Sequence, residues 1–309
     1  MIKSGKNING KHLSVGFIGA GNMASALIAG LINGGLDPKE IIASSPEDSH
    51  LLALDTEFGI KTTKDNLEIG RNCNTIVIAV KPHIVNSVLN ELSDLINAKQ
   101  HLIISIAAGI RIKDIQKHLK RGQRIVRAMP NTPASIGKGV SALCANGNCS
   151  DEDLKTSKGV FESVGVTCVL EEKSFDLYTS LIGSGPAYIF YLVEALMESS
   201  KELNFEESEI KNLLLDMIIG SAELAKQSSD SPDTLRKKVT SPGGVTERAL
   251  EEFEEEKLHY PLAAIAYSKD AHRISFEYGK RRAGLFCVGG VCRVVPASNG
   301  LSITLTSSF

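Results

Sequence analysis

The amino-acid sequence predicts an α/β domain with a mainly parallel sheet, followed by an all-α domain. In the first half, short apolar β-rich runs alternate with helical patterns. Continuous apolar strands separated by helices are typical of parallel sheets that helices cover on both faces. After Ser174, apolar residues recur at helical spacing, and we expect no strand before about Tyr278. The expected domains are therefore 12–172 and 173–279, with 280–309 as a separate tail.

The clearest motif is a glycine loop after the first expected strand, Val15–Ile18. The loop has the pattern Gly-x-Gly-x-x-Ala and runs directly into a helix. Gly19 allows a sharp turn, Gly21 lets the backbone approach a pyrophosphate, and Ala24 lets the helix pack closely on the sheet. The first helical N–H groups and the helix dipole favour phosphate. The motif predicts a Rossmann-like, dinucleotide-binding domain, with an ordinary glycine turn as the alternative.

Three further loops follow expected strands of the same sheet. They are Ala-Val-Lys-Pro at 79–82, Ser-Ile-Ala-Ala-Gly at 105–109 and Arg-Ala-Met-Pro-Asn-Thr-Pro at 127–133. Ligands bind at the carboxyl ends of parallel strands, so the three loops together outline one crevice. Taken singly, each also fits an ordinary loop.

The end of the second expected strand, Ala-Ser-Ser-Pro at 43–46, bears on the choice of cofactor. Enzymes that use NAD usually carry an acidic residue here, which holds the ribose 2′-hydroxyl. Serine hydroxyls can instead donate to a 2′-phosphate, which favours NADPH. No arginine follows, and Glu47 and Asp48 lie close by. The expected preference is therefore modest, with NADH also possible.

The helical half carries several signals for helix ends. Asn204 with Glu207 fits a capping box, and Ser231-Pro232 favours a helix start. Pro186 interrupts the first helical stretch. A proline there removes one hydrogen bond, and its ring clashes with the carbonyl of Ile182, so we expect a kink or a break.

The segment Val-Thr-Ser-Pro-Gly-Gly-Val-Thr at 239–246 leads into another expected helix. Its hydroxyl residues, its Pro-Gly-Gly turn and the helix start can form a small-anion site from backbone N–H groups. The alternative is structural, with Thr246 as the helix N-cap and Pro-Gly-Gly as an ordinary turn. Local physical chemistry leaves both interpretations open.

Composition argues against several classes of function. The 309 residues include 42% hydrophobic and 23% charged residues with a net charge of −2, as in soluble globular proteins, and the charge does not favour nucleic-acid binding. We expect no membrane segment, because no apolar run reaches the roughly 18 residues of a membrane span. The polar N-terminus does not fit a signal peptide. The six cysteines lack zinc-type spacing, so we expect reduced thiols and a cytoplasmic protein.

Five segments together resemble the pyrroline-5-carboxylate reductases, the enzymes of the last step of proline synthesis. They are 17–24, 79–82, 129–133, Gly-Ser-Gly-Pro-Ala-Tyr at 183–188, and 239–246, in the family's order and spacing. The resemblance implies an N-terminal dinucleotide-binding domain and an all-α C-terminal dimerisation domain. It implies a homodimer whose helices interlock, with a ring of dimers as a further possibility. It also favours the anion-site interpretation of 239–246.

The resemblance assigns roles to residues by position. Ser44 would contact the adenosine-ribose phosphate and Asn66 the adenosine side, and no metal is expected. Thr246 would be the catalytic residue, in a pocket completed by the neighbouring subunit. The residues implied for the substrate are Ser241, Gly243, Gly244, Val245 and Thr246. Those implied for NADPH, or NADH, are Ile18, Gly19, Ala20, Gly21, Asn22, Met23, Ser44, Asn66, Ala79, Val80, Lys81, Pro82, Ser105, Ile106, Ala107 and Asn131.

The implied reaction is hydride transfer from NAD(P)H to the C=N carbon of Δ1-pyrroline-5-carboxylate, giving L-proline. It needs the nicotinamide and the imine carbon in contact, an anion site, and a donor at the nitrogen, for which a threonine hydroxyl is suitable. The alternatives are another NADPH-dependent imine or keto reductase of the same plan, or a non-catalytic dinucleotide-binding scaffold. Two features depart from the family pattern: Val245, where threonine or alanine is usual, and the tail 280–309, which fits a hairpin around Gly289-Gly290.

Overall fold

The computed structural model describes residues 13–255 with their side chains. It also describes the backbone of four short strands at 274–277, 284–288, 291–295 and 302–305. The expected border at 279 and the Gly289-Gly290 turn lie outside the described residues. The chain divides into two compact units between Pro186 and Ala187.

The first unit is built on an eight-stranded sheet with the order β3-β2-β1-β4-β5-β6-β7-β8. Strands β1 to β6 are parallel, which confirms the predicted mainly parallel sheet. Strand β7 runs antiparallel to β6, because the connection at 130–138 is shorter than the dozen or so residues of a parallel crossover. The strands are β1 (Val15–Ile18), β2 (Ile41–Ser44), β3 (Lys61–Thr63), β4 (Thr75–Ile78), β5 (Leu102–Ser105), β6 (Arg124–Met129), β7 (Gly139–Ala145) and β8 (Gly165–Val169).

Helices cover this sheet and explain its continuous apolar strands. Every residue of β1, β2, β4 and β5 is buried, and two hydrophobic clusters form the core. The helices are α1 (Asn22–Asn33), α2 (Asp48–Phe58), α3 (Asn66–Asn72), α4 (Val85–Leu92), α5 (Ile112–Gln116) and α6 (Asp151–Glu162). Helix α3 was not predicted from the sequence, although Asp65 caps it by accepting a hydrogen bond from the Leu67 N–H at 2.9 Å.

The other α-helices within the described residues are α7 (Phe175–Tyr178), α8 (Gly185–Ser199), α9 (Glu207–Gln227), α10 (Pro232–Lys238) and α11 (Val245–Glu255). A π-helical turn at Thr179–Gly183 separates α7 from α8, which is the interruption that Pro186 predicts. The side chains of Phe175 and Tyr178 are buried in the core of the first unit. That burial places the border of the units beyond residue 172.

The helix-end signals had different outcomes. Ser231 caps α10, accepting a hydrogen bond from the Thr234 N–H at 3.2 Å, as predicted. The capping box is wrong: Glu206 precedes α9, and Asn204 has a positive φ of 52°. Asparagine tolerates this left-handed conformation, so Asn204 ends the preceding 3-10 turn instead of capping the helix.

The expectation of no strand before Tyr278 is also wrong. Strand β9 (Ile274–Glu277) pairs antiparallel with β12 (Ser302–Leu305), and its sequence Ile-Ser-Phe-Glu alternates apolar and polar residues as strands do. Strands β10 (Gly284–Val288) and β11 (Val291–Val295) pair antiparallel, in agreement with the predicted hairpin.

One helical run differs from the expectation that no segment could cross a membrane. Among the residues that the structure describes, the run Glu172–Ser199 spans 28 residues and contains an 18-residue window with a mean hydropathy of 1.3. By length and composition alone it could span a bilayer. Core helices of soluble proteins meet the same criterion but are mostly buried, whereas 11% of this apolar window is buried in the single chain.

Candidate active site

The glycine loop after β1 has the geometry that the motif predicts. Gly19 has a φ of +104°, and a Cβ there would lie 2.5 Å from the carbonyl oxygen of Ala79. Gly21 has a φ of −80°, and a Cβ there would meet no atom within 4 Å. Gly19 therefore packs against the neighbouring strand end, while Gly21 borders open space where a pyrophosphate can approach.

The start of α1 offers donors to that open space. The Ser25 N–H donates to the Gly21 carbonyl oxygen at 3.0 Å and makes the first helical bond. The N–H groups of Asn22, Met23 and Ala24 therefore have no acceptor within the helix. Gly21 forms no side-chain cap. Free N–H groups at the positive end of a helix dipole suit phosphate, so this loop fits the pyrophosphate of a dinucleotide.

The expected crevice loops lie beside this glycine loop. The Ala79 N–H donates to the Ile18 carbonyl oxygen at 2.8 Å, and the Ile106 N–H donates to that of Ile78 at 3.1 Å. The segment 79–82 thus follows β4, and the segment 105–107 begins at the last residue of the adjacent strand β5. Lys81 and Pro82 are exposed, whereas Ser105 and Ala107 are buried.

The two serines at the end of β2 differ in their hydrogen bonding. Ser44 is 1% exposed, and its hydroxyl donates to Asn66 Oδ1 at 2.8 Å. Its hydrogen is therefore not directed at a cofactor phosphate. Ser45 Oγ accepts the Glu47 N–H at 3.2 Å, which leaves the Ser45 hydrogen able to donate. The direct contact that the resemblance implies for Ser44 stays a prediction. Ser45 is 5% exposed, and its hydroxyl keeps a hydrogen that can donate.

Asn131, expected as a cofactor residue, is 7% exposed and bridges two backbone groups. Its Oδ1 accepts the Val140 N–H at 2.8 Å, and its Nδ2 donates to the Ile182 carbonyl oxygen at 3.2 Å. Pro186 has no N–H to give to that carbonyl, so Asn131 supplies the missing donor. Its role toward a cofactor stays a prediction.

We expect Asn131→Asp to lower the free energy of unfolding by about 2 kcal/mol. Aspartate still accepts from Val140, but it leaves the Ile182 carbonyl without a donor and sets an oxygen against it. The variant Pro186→Ala restores a backbone N–H at residue 186, so it should offset part of that loss. Urea unfolding of both single variants and the double variant measures this coupling, and strictly additive losses would contradict it.

The anion-site segment in the second unit is already closed by hydrogen bonds. The Gly244 N–H donates to the Ser241 carbonyl oxygen at 2.9 Å, and the Gly243 N–H donates to Glu247 Oε2 at 2.6 Å. Gly243 has a φ of +69°, a conformation that favours glycine. Glu247 is not among the site residues predicted from the sequence, and its contact shows that the Gly243 N–H binds a carboxylate in this structure.

Thr246 is the second residue of α11 and not its N-cap. The Arg248 N–H donates to the Gly244 carbonyl oxygen at 3.3 Å, so Gly244 occupies the capping position and the N-cap interpretation of Thr246 is wrong. The N–H groups of Val245, Thr246 and Glu247 have no acceptor within the helix. Val245 is 88% exposed and Thr246 is also exposed. The helix start therefore offers backbone donors and one hydroxyl.

Comparisons with known proteins identify the family. A model described as pyrroline-5-carboxylate reductase dimerisation matches residues 172–271. A model for NADP oxidoreductase, coenzyme F420-dependent, matches 14–109, and one for a family of unknown function matches 247–309. The pyrroline-5-carboxylate reductase of Synechocystis is 34% identical over 87% of this chain and 99% of its own length. The chain belongs to the pyrroline-5-carboxylate reductase family.

Solved structures of the family agree with this fold. The pyrroline-5-carboxylate reductase of Coxiella burnetii has a TM-score of 0.76 at 34% identity, covering 83% of this chain and 96% of that one. The Plasmodium falciparum enzyme, solved with NADP bound, has a TM-score of 0.76 at 31% identity, covering 83% of this chain and 95% of that one. The predicted two-part fold and the predicted family are both confirmed.

Proposed function

We propose that this chain reduces Δ1-pyrroline-5-carboxylate to L-proline with a nicotinamide dinucleotide as hydride donor. The start of α11 carries the proposal: it presents an exposed threonine hydroxyl beside N–H groups that lack helical acceptors. These are the donors that a small carboxylate-bearing imine requires. The glycine loop and the start of α1 fit the phosphates of the cofactor, and family membership supports the assignment.

Each protein group has a defined task in this reaction. When bound, the cofactor supplies the hydride for the imine carbon. The N–H groups of Val245, Thr246 and Glu247 hold the substrate carboxylate. The Thr246 hydroxyl donates a hydrogen bond to the imine nitrogen. That nitrogen becomes a stronger acceptor as the carbon is reduced, so the bond strengthens toward the transition state.

NADPH is the proposed cofactor, with NADH as a weaker substitute. The Ser45 hydroxyl has a free hydrogen for a 2′-phosphate, and the first unit matches an NADP oxidoreductase model. The preference is modest, because the exposed carboxylate of Glu47 lies two residues from Ser45. Assays with both nucleotides should give the higher kcat/KM with NADPH.

The proposed assembly is a homodimer through the helical unit, with a ring of dimers as the larger form. Large apolar side chains on α8 and α9 are exposed in the single chain, among them Phe190 at 64% and Leu213 at 48%. A second copy that covers them accounts for the apolar run Glu172–Ser199 without a membrane. We place the enzyme in the cytoplasm, where thiols stay reduced, and the cysteines at 73, 144, 149 and 168 are free.

The proposed reaction is tested by following NADPH absorbance with the purified full-length chain. We expect oxidation with Δ1-pyrroline-5-carboxylate and formation of proline, and slower turnover with other cyclic imines or keto acids. Faster turnover of another imine or keto acid would instead identify the broader reductase. Binding of NADPH without turnover of any of them would identify a non-catalytic scaffold.

Removing the Glu247 charge should improve substrate binding. Its carboxylate occupies the Gly243 N–H, so the substrate carboxylate meets a like charge at this turn. We expect Glu247→Gln to lower the KM for the substrate about fivefold. Two like charges about 4 Å apart repel each other by about 1 kcal/mol in water, and the variant removes this repulsion. Glu251→Gln removes the same charge one turn further along α11 and is the control. Equal KM changes in both variants would assign the effect to overall charge.

A further inference from the structure

A chain of hydrogen bonds connects three elements beside the proposed adenosine end of the cofactor. Ser44 ends β2, Asn66 begins α3, and Glu91 is the penultimate residue of α4. The Ser44 hydroxyl donates to Asn66 Oδ1 at 2.8 Å. Asn66 Nδ2 donates to Glu91 Oε2 at 2.8 Å. Asn66 is partly exposed and Glu91 is exposed, while Ser44 is buried.

The chemistry of Glu91 decides which groups donate and which accept in this series of hydrogen bonds. An ionised carboxylate can only accept hydrogen bonds, so the Asn66 NH₂ group must face Glu91. The Asn66 oxygen must then face Ser44, whose hydroxyl becomes the donor. Ser44 alone would not fix the amide, because a hydroxyl can donate or accept. A hydrogen bond to a charged group is also about twice as strong as a neutral one.

Two of the four hydrogen-bonding positions of the Asn66 amide are used in this way. One N–H and one oxygen lone pair remain for a ligand, and the amide orientation decides which of them a ligand meets. If the amide turned by half a rotation, donor and acceptor would change places. A residue that fixes the orientation therefore affects recognition at Asn66 without touching the ligand.

We propose that Glu91 is a positioning residue of the dinucleotide site, which acts by fixing the orientation of the Asn66 amide. The proposal rests on the proposed function, in which a nicotinamide dinucleotide binds with its adenosine side at Asn66. Adenosine is common to NADP⁺ and NAD⁺. Glu91 therefore contributes to the affinity for both.

The test is a double-mutant cycle read out by calorimetric binding of NADP⁺ and of NAD⁺ to the full-length protein. We expect Glu91→Ala to raise the dissociation constants of both nucleotides three- to tenfold, with kcat at saturating NADPH unchanged. The loss should disappear in the Asn66→Ala background, because no amide is left to orient. Glu91→Gln keeps an accepting oxygen but adds an NH₂ donor, so it no longer fixes the Asn66 amide and should weaken binding nearly as much as Glu91→Ala. Glu57→Ala removes an exposed carboxylate from α2 and is the charge control.

Three results would overturn the role of Glu91. They are unchanged dissociation constants in Glu91→Ala, an equal loss in the Asn66→Ala background, and tighter NADP⁺ binding with unchanged NAD⁺ binding. The last would mean that the Glu91 charge acts directly on a 2′-phosphate. A lower melting temperature with unaltered affinity would leave only a structural contact. A wild-type chain that binds neither nucleotide refutes the proposed function itself, whereas normal binding in Glu91→Ala refutes the Glu91 role alone.

Discussion

Alanine at position 19 is expected to abolish dinucleotide binding and to destabilise the first unit. The backbone at Gly19 has a φ of +104°, and a Cβ would lie 2.5 Å from the Ala79 carbonyl oxygen. Either the loop or the end of β4 must then move. Backbone strain and overpacking together cost roughly 2 to 6 kcal/mol. We expect the melting temperature to fall by at least about 5 °C and NADP⁺ affinity to be lost by calorimetry.

Gly21→Ala is the matched control two residues away. Its φ of −80° suits alanine, and no atom lies within 4 Å of the added methyl group. The variant should therefore fold with an unchanged melting temperature. It should still bind NADP⁺ about tenfold more weakly, because the methyl group stands where the pyrophosphate approaches. Normal affinity in Gly21→Ala would show that the phosphates bind elsewhere.

The parallel sheet was predictable because its signal is local. Each central strand is buried on both faces, so it appears in the sequence as a short apolar run between helical patterns. The glycine loop was predictable for a similar reason. Gly19 is needed for the turn against Ala79, and Gly21 leaves open space beside the backbone. Helix α3 was missed because seven residues with a glycine in fifth place carry little periodicity.

Pairings between side chains could not be predicted from the sequence. Ser44 fits a phosphate donor in the sequence, but in the fold its hydrogen is directed at Asn66. Asn131 fits a loop ligand, but it satisfies the carbonyl that Pro186 leaves without a donor. Both partners are distant in sequence, so only the tertiary structure brings them together.

The start of α11 shows how one residue can alter an interpretation. The sequence allowed Thr246 to be an N-cap, because threonine before a helix often is one. The helix begins at Val245, so the Thr246 hydroxyl is left at the surface for another task. The motif located the segment correctly. It does not specify the residue at which the helix begins, and that residue decides whether Thr246 is a cap or carries an unoccupied hydroxyl.

Removing the Thr246 hydroxyl is expected to lower kcat by a factor of roughly 10 to 1,000. That range corresponds to about 1.4 to 4 kcal/mol of lost transition-state stabilisation. The loss should fall on kcat more than on KM, because the hydrogen bond to the imine nitrogen strengthens as hydride arrives. Steady-state assays of Thr246→Ala with saturating NADPH measure both constants.

Three matched measurements separate this role from a structural one. Thr246 lies inside the exposed first turn of α11, where alanine is the better helix former, so Thr246→Ala should not lower the melting temperature. Thr246→Ser keeps the hydroxyl and should retain most of the activity. Thr246→Val keeps the branched shape without the hydroxyl and should be as slow as alanine. An active valine variant would show that shape, and not the hydrogen bond, is what position 246 contributes to turnover.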